Sequence, residues 1–135
     1  MTIRIGINGL GRIGRCVLRA LYEEAAWQDI ELVAVNGPAP IENHVHLLTY
    51  DSVHGRFSKE VKAVGEDLSI DGQQVKLFHE RDPAKLPWGD MGVDVLLECT
   101  GRFKSKEQVA PHLQQGAKKV LVSAPSPDAD ATVVY

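Results

Sequence analysis

Ile3-Arg4-Ile5-Gly6-Ile7-Asn8-Gly9-Leu10-Gly11-Arg12-Ile13-Gly14-Arg15 is the stretch that decides the fold. It reads as a short apolar strand, a G-x-G-x-x-G turn on Gly9, Gly11 and Gly14, and the opening of a helix. That order is what a dinucleotide requires of a chain. Gly9 lets the backbone turn sharply off the strand. Gly11 carries no side chain, so a pyrophosphate can approach the backbone, and Gly14 lets the new helix pack closely. The first-turn N–H groups and the positive dipole end of that helix then face the phosphates.

Working outward, Ile13, Val17, Ala20 and Leu21 recur at i, i+4, i+7 and i+8 and predict one inward helical face between Gly11 and about Ala25. Ile30–Asn36 is a second β-rich run, so the first thirty-six residues make a right-handed βαβ unit with parallel strands. Gly37-Pro38-Ala39-Pro40 is a loop, and Ile41 to Tyr50 is helical with Val45 and Leu48 inward. Asp51 to Phe57 is polar and turn-like. Lys59–Val64, Leu68–Ile70 and Gln74–His79 alternate apolar and polar residues around Gly65-Glu66-Asp67 and Asp71-Gly72, which predicts an antiparallel meander. A short turn follows at Asp82 to Trp88, then a buried strand at Val93–Leu97. A capping box, Ser105-x-x-Gln108, opens a helix to about Gln115, with Pro111 expected to kink it or shift its start and Gly116 past its end. Strands at Lys119–Ser123 and Ala131–Tyr135 complete the pattern. The alternation predicts a doubly wound, Rossmann-type α/β domain with a mainly parallel sheet and an inserted meander.

Composition bounds the function. A chain of 135 residues, 44% hydrophobic and 24% charged, fits one globular domain. Its formal charge of −3 argues against a nucleic-acid partner, for which a basic stripe is expected. No apolar run reaches membrane-spanning length and the N-terminus shows no signal-peptide pattern, so no membrane partner and a cytoplasmic location are expected. Cys16 and Cys99 lie far apart and suggest no disulfide framework. The stop at Tyr135, directly after Ala131-Thr132-Val133-Val134, reads as the inside of a strand and suggests a piece of a longer protein.

Ligands of open α/β sheets bind outside the carboxyl ends of the strands. Here those ends are Asn8-Gly9, Asn36-Gly37, Thr100-Gly101 and Ser123-Ala124. The usual acidic residue about 20 residues beyond the glycines, which holds the adenosine ribose, is missing: the place is Asn36-Gly37. Without a carboxylate to repel a 2′-phosphate, NADP becomes tolerable beside NAD. Gly37→Asp should therefore shift preference toward NAD. Arg12 and Arg81 are conceivable phosphate partners. His44-x-His46 points to two faces of a helix and lacks further ligands, so no metal is expected. Cys99 reads as a core thiol and Cys16 has the same default. No Walker-type loop is present.

A longer set of motifs carries a resemblance. The glycine stretch Ile7–Arg15, Tyr50-Asp51-Ser52-Val53-His54-Gly55-Arg56-Phe57, Glu80-Arg81-Asp82-Pro83 with Leu86-Pro87-Trp88, Glu98-Cys99-Thr100-Gly101-Arg102-Phe103, Gly116–Val120, Ser123-Ala124-Pro125 and Asp130–Tyr135 together resemble the N-terminal half of phosphorylating glyceraldehyde-3-phosphate dehydrogenases. Erythrose-4-phosphate dehydrogenases share many of them. The resemblance implies that the backbone N–H groups of Arg12 and Ile13 face the pyrophosphate and that Ile13 packs against the nicotinamide. It places Asn36 by the adenosine ribose and Arg81 at the adenine. Thr100, Gly101 and Phe103 line the adenine and ribose side, and Ser123 and Ala124 lie by the nicotinamide ribose. Gly37 departs from the family's usual Asp. The family's nucleophilic cysteine, in a Ser-Cys-Thr-Thr-Asn stretch, its base histidine and its phosphate sites are expected beyond Tyr135. No catalytic residue is therefore expected in this chain, residues 1–135 alone should be inactive, and the intact protein should pair this domain with a catalytic one in a homotetramer. A non-catalytic dinucleotide-binding module is the other reading of the same residues.

Overall fold

The computed structural model describes residues 2–23, 29–51, 55–103 and 105–123. In chain order the elements are β1 (Ile3–Asn8), α1 (Arg12–Glu23), β2 (Ile30–Asn36), α2 (Ile41–Thr49), the two-residue strands β3 (Tyr50–Asp51) and β4 (Gly55–Arg56), β5 (Val61–Val64), β6 (Asp67–Ile70), β7 (Gln73–Phe78), a 3-10 turn at Pro83–Lys85, β8 (Val95–Glu98), α3 (Lys106–Gln114) and β9 (Lys119–Val122). Among the described residues no helix is long and apolar enough to cross a membrane. The expected strand at Ala131–Tyr135 lies outside the described residues.

One seven-stranded sheet runs in the order β5-β6-β7-β2-β1-β8-β9. β7, β2, β1, β8 and β9 are parallel to one another, while β5, β6 and β7 pair antiparallel. The expected meander is present, and its third strand also pairs with β2 and so widens the parallel sheet. The Asp51–Phe57 stretch, expected as turn, instead contributes to an antiparallel pair, with Tyr50 opposite Arg56 and Asp51 opposite Gly55. So short a ladder needs no buried face, and alternation therefore gave no sign of it. The Arg56 guanidinium lies 6.0 Å from the Tyr50 ring centre.

Both faces of the sheet are covered. Ile5, Ile7, Leu32, Val35 and Leu77 pack with Leu18 of α1 and Leu48 of α2 on one side. Val33, Ala34 and Leu96 pack with Leu86, Trp88, Val93 and Ala117 on the other. A register shift lets β2 serve both. Ile5 pairs with Leu32 but Gly6 with Ala34, so Val33 is an extra residue in β2. A bulge of this kind interrupts strict alternation, and consecutive Val33 and Ala34 join the same cluster.

The inward face of α1 differs from the expected one. Ile13 is 52% exposed and Ala20 is exposed, whereas Gly14, Leu18 and Arg19 are buried and Val17, Leu21 and Tyr22 pack against the core. The true stripe passes through Gly14, Leu18, Leu21 and Tyr22. A glycine adds no hydrophobic signal, so the apolar periodicity points to the neighbouring row through Ile13. Buried Arg19 is spent on structure: its Nη2 donates to the Gly55 carbonyl at 3.0 Å, and its guanidinium lies 5.1 Å from the Phe57 ring centre.

The Ser105 capping box is present in full, with Gln108 N donating to Ser105 Oγ and Ser105 N to Gln108 Oε1, both at 3.2 Å. α3 starts where that box sets it and continues through Pro111 to Gln114, so Pro111 does not shift its start. The hydrogen bond that Pro111 cannot make is the one to the carbonyl of Glu107, an exposed residue. Gly116, at φ +108°, takes the chain out of the helix.

Candidate functional site

Five parallel strands end on one edge, and for four of them, β2, β1, β8 and β9, the pairing continues one residue past the end. Gly37 N donates to Phe78 O at 2.9 Å, Gly9 N to Asn36 O at 2.8 Å, Cys99 N to Asn8 O at 2.8 Å and Ser123 N to Glu98 O at 3.0 Å. The chain crosses from the β7 side of β1 to the β8 side, so the crevice above β1 and β8 is a topological switch point, where ligands of such sheets settle. Gly9 and Thr100 meet there.

The three glycines act differently. Gly9 has φ +103°, and a Cβ on it would stand 2.8 Å from Thr100 N, so the turn and the close approach of the two loops both need a bare backbone. A Cβ on Gly14 would stand 1.9 Å from the Gly9 carbonyl oxygen, which fixes how tightly α1 sits on the turn. A Cβ on Gly11 would meet nothing within 4 Å. Gly11 therefore opens on empty space beside the N-terminal end of α1, where the helix dipole is positive. A pyrophosphate fits this cradle in both charge and clearance.

Beneath the crevice runs a buried polar chain. Trp88 Nε1–H donates to His112 Nδ1 at 2.9 Å. That nitrogen is therefore unprotonated, and Nε2–H donates to Glu98 Oε1 at 3.0 Å. Asn8 Nδ2 donates to the same oxygen at 2.6 Å, while Thr100 N and Oγ1 donate to Glu98 Oε2 at 2.9 and 2.6 Å. Asn36 Nδ2 donates to Asn8 Oδ1 and to the Glu80 carbonyl, each at 2.7 Å, and Asn36 Oδ1 accepts from Glu80 N at 2.9 Å. Burial is the largest single influence on the Glu98 carboxyl and pushes it up; the donors from His112, Thr100 and Asn8 together outweigh it and hold Glu98 below the usual carboxylate range.

The residues expected to bind cofactor fall as follows. Gly9, Gly11, Arg12, Ile13 and Gly14 form the turn and the first residues of α1. Gly37 follows β2, and Asn36 pins the Glu80–Arg81 loop beside it, bringing exposed Arg81 to the same edge. Gly101, at φ +74° and exposed, and half-buried Phe103 follow Thr100 on the β8 side, and exposed Ser123 follows β9. Ala124 lies outside the described residues. Two side chains are less available than their positions suggest: both Asn36 Nδ2 hydrogens are spent inside the protein, and the Thr100 hydroxyl donates to Glu98 and accepts from Arg102 N. Sequence reasoning gave no role to Glu98, His112 or Trp88, and placed Asn8 only at a strand end facing the ligand. The one local sign was a glutamate closing the apolar run Val95-Leu96-Leu97.

At the outer side of β2, His44 of α2 and His79 turn toward the Gly37 carbonyl, His44 Nε2 at 3.4 Å and His79 Nδ1 at 3.1 Å. Burial is the main cause that keeps the His44 imidazole below the ordinary histidine range; the neighbouring His79 and Arg15 push the same way, and the Gly37 carbonyl opposes. His44 is buried and His46 exposed, and among the described residues no group of three or more His, Cys, Asp or Glu side chains gathers as for a metal ion.

Cys99 sits just past β8. Burial, aided by the Glu98 charge and only partly offset by the Ser123 hydroxyl, pushes its thiol up to about 11. At pH 8 about one molecule in a thousand then carries the thiolate. Iodoacetamide at pH 8 should leave Cys99 unmodified in the folded chain and label it in urea. Rapid native labelling of Cys99, read by peptide mass spectrometry, would contradict this burial.

The comparisons with known proteins meet this geometry. The family model "Glyceraldehyde 3-phosphate dehydrogenase, NAD binding domain" matches residues 3–106. The chain belongs to the glyceraldehyde-3-phosphate dehydrogenase family, as its NAD-binding domain. It is 52% identical over 136 residues to the chromosomal glyceraldehyde-3-phosphate dehydrogenase of Cupriavidus necator, covering 100% of this chain and 40% of that protein. Over 135 residues it is 51% identical to the glyceraldehyde-3-phosphate dehydrogenase of Xanthobacter flavus, with 100% of this chain and 40% of that protein covered. With the glyceraldehyde-3-phosphate dehydrogenase of Geobacillus stearothermophilus it shares 48% identity over 134 residues, 99% of this chain and 39% of that one. The chain thus spans about 40% of the length of these curated relatives.

Proposed function

We propose that residues 1–135 form the cofactor-binding half of a phosphorylating, NAD(P)-dependent glyceraldehyde-3-phosphate dehydrogenase. The observation that carries this is the single edge on which the open Gly11 cradle, Gly37, the Arg81 loop, Thr100-Gly101 and Ser123 come together. The backbone N–H groups of Arg12 and Ile13 would take the pyrophosphate and Ile13, half exposed, the nicotinamide side. Gly37 and Arg81 would take the adenosine end, with Asn36 positioning the Arg81 loop and meeting the ribose through its backbone. Thr100, Gly101 and Phe103 would line the crevice, and Ser123 and Ala124 would lie by the nicotinamide ribose. The nicotinamide would accept a hydride, and this chain's part would be to bind and orient it. The nucleophile would come from a catalytic domain, in a tetrameric cytoplasmic enzyme. The relatives' names favour glyceraldehyde 3-phosphate over erythrose 4-phosphate as the substrate of the whole protein.

Titration calorimetry of the chain with NAD and with NADP tests the reading. Saturable 1:1 heats with both are expected, since no carboxylate at position 37 stands against a 2′-phosphate. Absence of heat with either dinucleotide would overturn it.

A further inference from the structure

Gly37 is not among the glycines with positive φ, so its backbone would accept any L residue. Space stands against it instead, unless the His44 ring moves. A Cβ on Gly37 would stand 2.7 Å from His44 Cε1 and 2.9 Å from His44 Nε2. The ring in the way is 3% exposed and stacked on His79, with centroids 6.3 Å apart and planes 27° from parallel. Its Nδ1 is buried with no hydrogen-bond partner. The backbone carbonyls of Gly37 and Ala39 both bear on the ring, so it is held in place as well as buried. Nothing in the glyceraldehyde-3-phosphate dehydrogenase chemistry proposed above uses His44.

We propose that Gly37 and His44 form one selectivity device: the His44 imidazole occupies the volume that a side chain at position 37 would need, so it keeps an acidic ribose anchor out and the adenosine end open to a 2′-phosphorylated dinucleotide. This rests on the cofactor reading above. The surroundings suit a phosphate, because the ionisable side chains bearing most strongly on the ring, His79 and Arg15, are both basic. His44 is then a specificity-determining residue that acts through position 37. The shift toward NAD that the sequence alone predicts for Gly37→Asp is therefore withheld while His44 is present, because the aspartate Cβ would collide with the ring before its carboxylate could reach a ribose.

Two measurements on the 135-residue chain test this independently. The first is a thermal double-mutant cycle without ligand. Gly37→Ala should lower Tm in the presence of His44, and the drop should shrink by about 3 °C or more in a His44→Ala background; His44→Val serves if the alanine variant does not fold. Equal drops in both backgrounds would overturn the interlock. The second is the ratio of calorimetric Kd values for NAD and NADP. Gly37→Asp alone should weaken both dinucleotides with little change in ratio, and Gly37→Asp with His44→Ala should favour NAD by about tenfold or more. A full shift from Gly37→Asp alone would overturn the role of His44. A wild-type chain that binds neither dinucleotide overturns the cofactor reading, and selectivity with it, while the thermal cycle still decides the interlock.

Discussion

Gly14→Ala should unseat α1 and abolish dinucleotide binding together. The added methyl would lie 1.9 Å from the Gly9 carbonyl oxygen and 3.0 Å from the carbon that bears it. Neither atom can give way. The Gly9 amide is tied to Asn36 O at 2.8 Å, and the Gly9 α-carbon already abuts the Thr100 backbone so closely that a Cβ there would stand 2.8 Å from Thr100 N. The helix must therefore withdraw, taking its first turn from the place where the proposed function would have it meet a pyrophosphate. Overpacking of this sort costs about 1–3 kcal/mol, and a backbone obstacle puts the expected loss at the upper end of that range. Gly11→Ala is the control. Its methyl meets nothing within 4 Å, so stability should stay within about 1 kcal/mol of wild type while affinity falls at least about tenfold. Urea denaturation and calorimetry on both variants separate the two roles. A Gly14→Ala chain as stable as wild type would refute the packing argument, and a Gly11→Ala chain that binds normally would refute the cradle.

Glu98→Ala should be comparably damaging for a different reason. Removing the carboxylate leaves His112 Nε2–H, Asn8 Nδ2 and the Thr100 N–H and hydroxyl facing a void in the interior. Deleting one partner of such a buried charged cluster costs about 3–5 kcal/mol. The sign of the pH dependence follows from the lowered Glu98 carboxyl. The unfolded chain binds that proton more tightly, so the stabilisation is complete above the ordinary carboxylate value, about 4.3, and is lost as the pH falls through the lower folded value. Urea midpoints measured between pH 7 and pH 3 should fall more steeply for wild type than for Glu98→Ala. Equal slopes, or a loss below about 1 kcal/mol at pH 7, would refute the assignment.

Much of this was legible in the residues. The glycine spacing placed the turn, the alternation around Gly65-Glu66-Asp67 and Asp71-Gly72 placed the meander, and Ser105 with Gln108 placed the start of α3. What failed to show was of two kinds. Some signals were silent: Gly14 belongs to the buried face of α1 but reads as neutral, and the extra residue Val33 in β2 breaks an alternation that was never strict. Others were distant. Glu98 meets Asn8 across 90 positions, and Trp88 meets His112 across 24, and no local pattern reports a pairing that only the sheet order creates. Asn36 ends β2 and Thr100 follows β8, and their side chains serve the protein's own backbone and carboxylate.

The hydrogen bonds from the Gly37, Gly9, Cys99 and Ser123 amides, each one step beyond its strand, carry a thermodynamic consequence. Loops that close over ligands usually surrender much of their conformational freedom at the moment of association. Here the floor of the crevice is knitted into the sheet, so its order belongs to the folding equilibrium. A dinucleotide meets a surface already shaped, and the freedom lost on binding is chiefly its own.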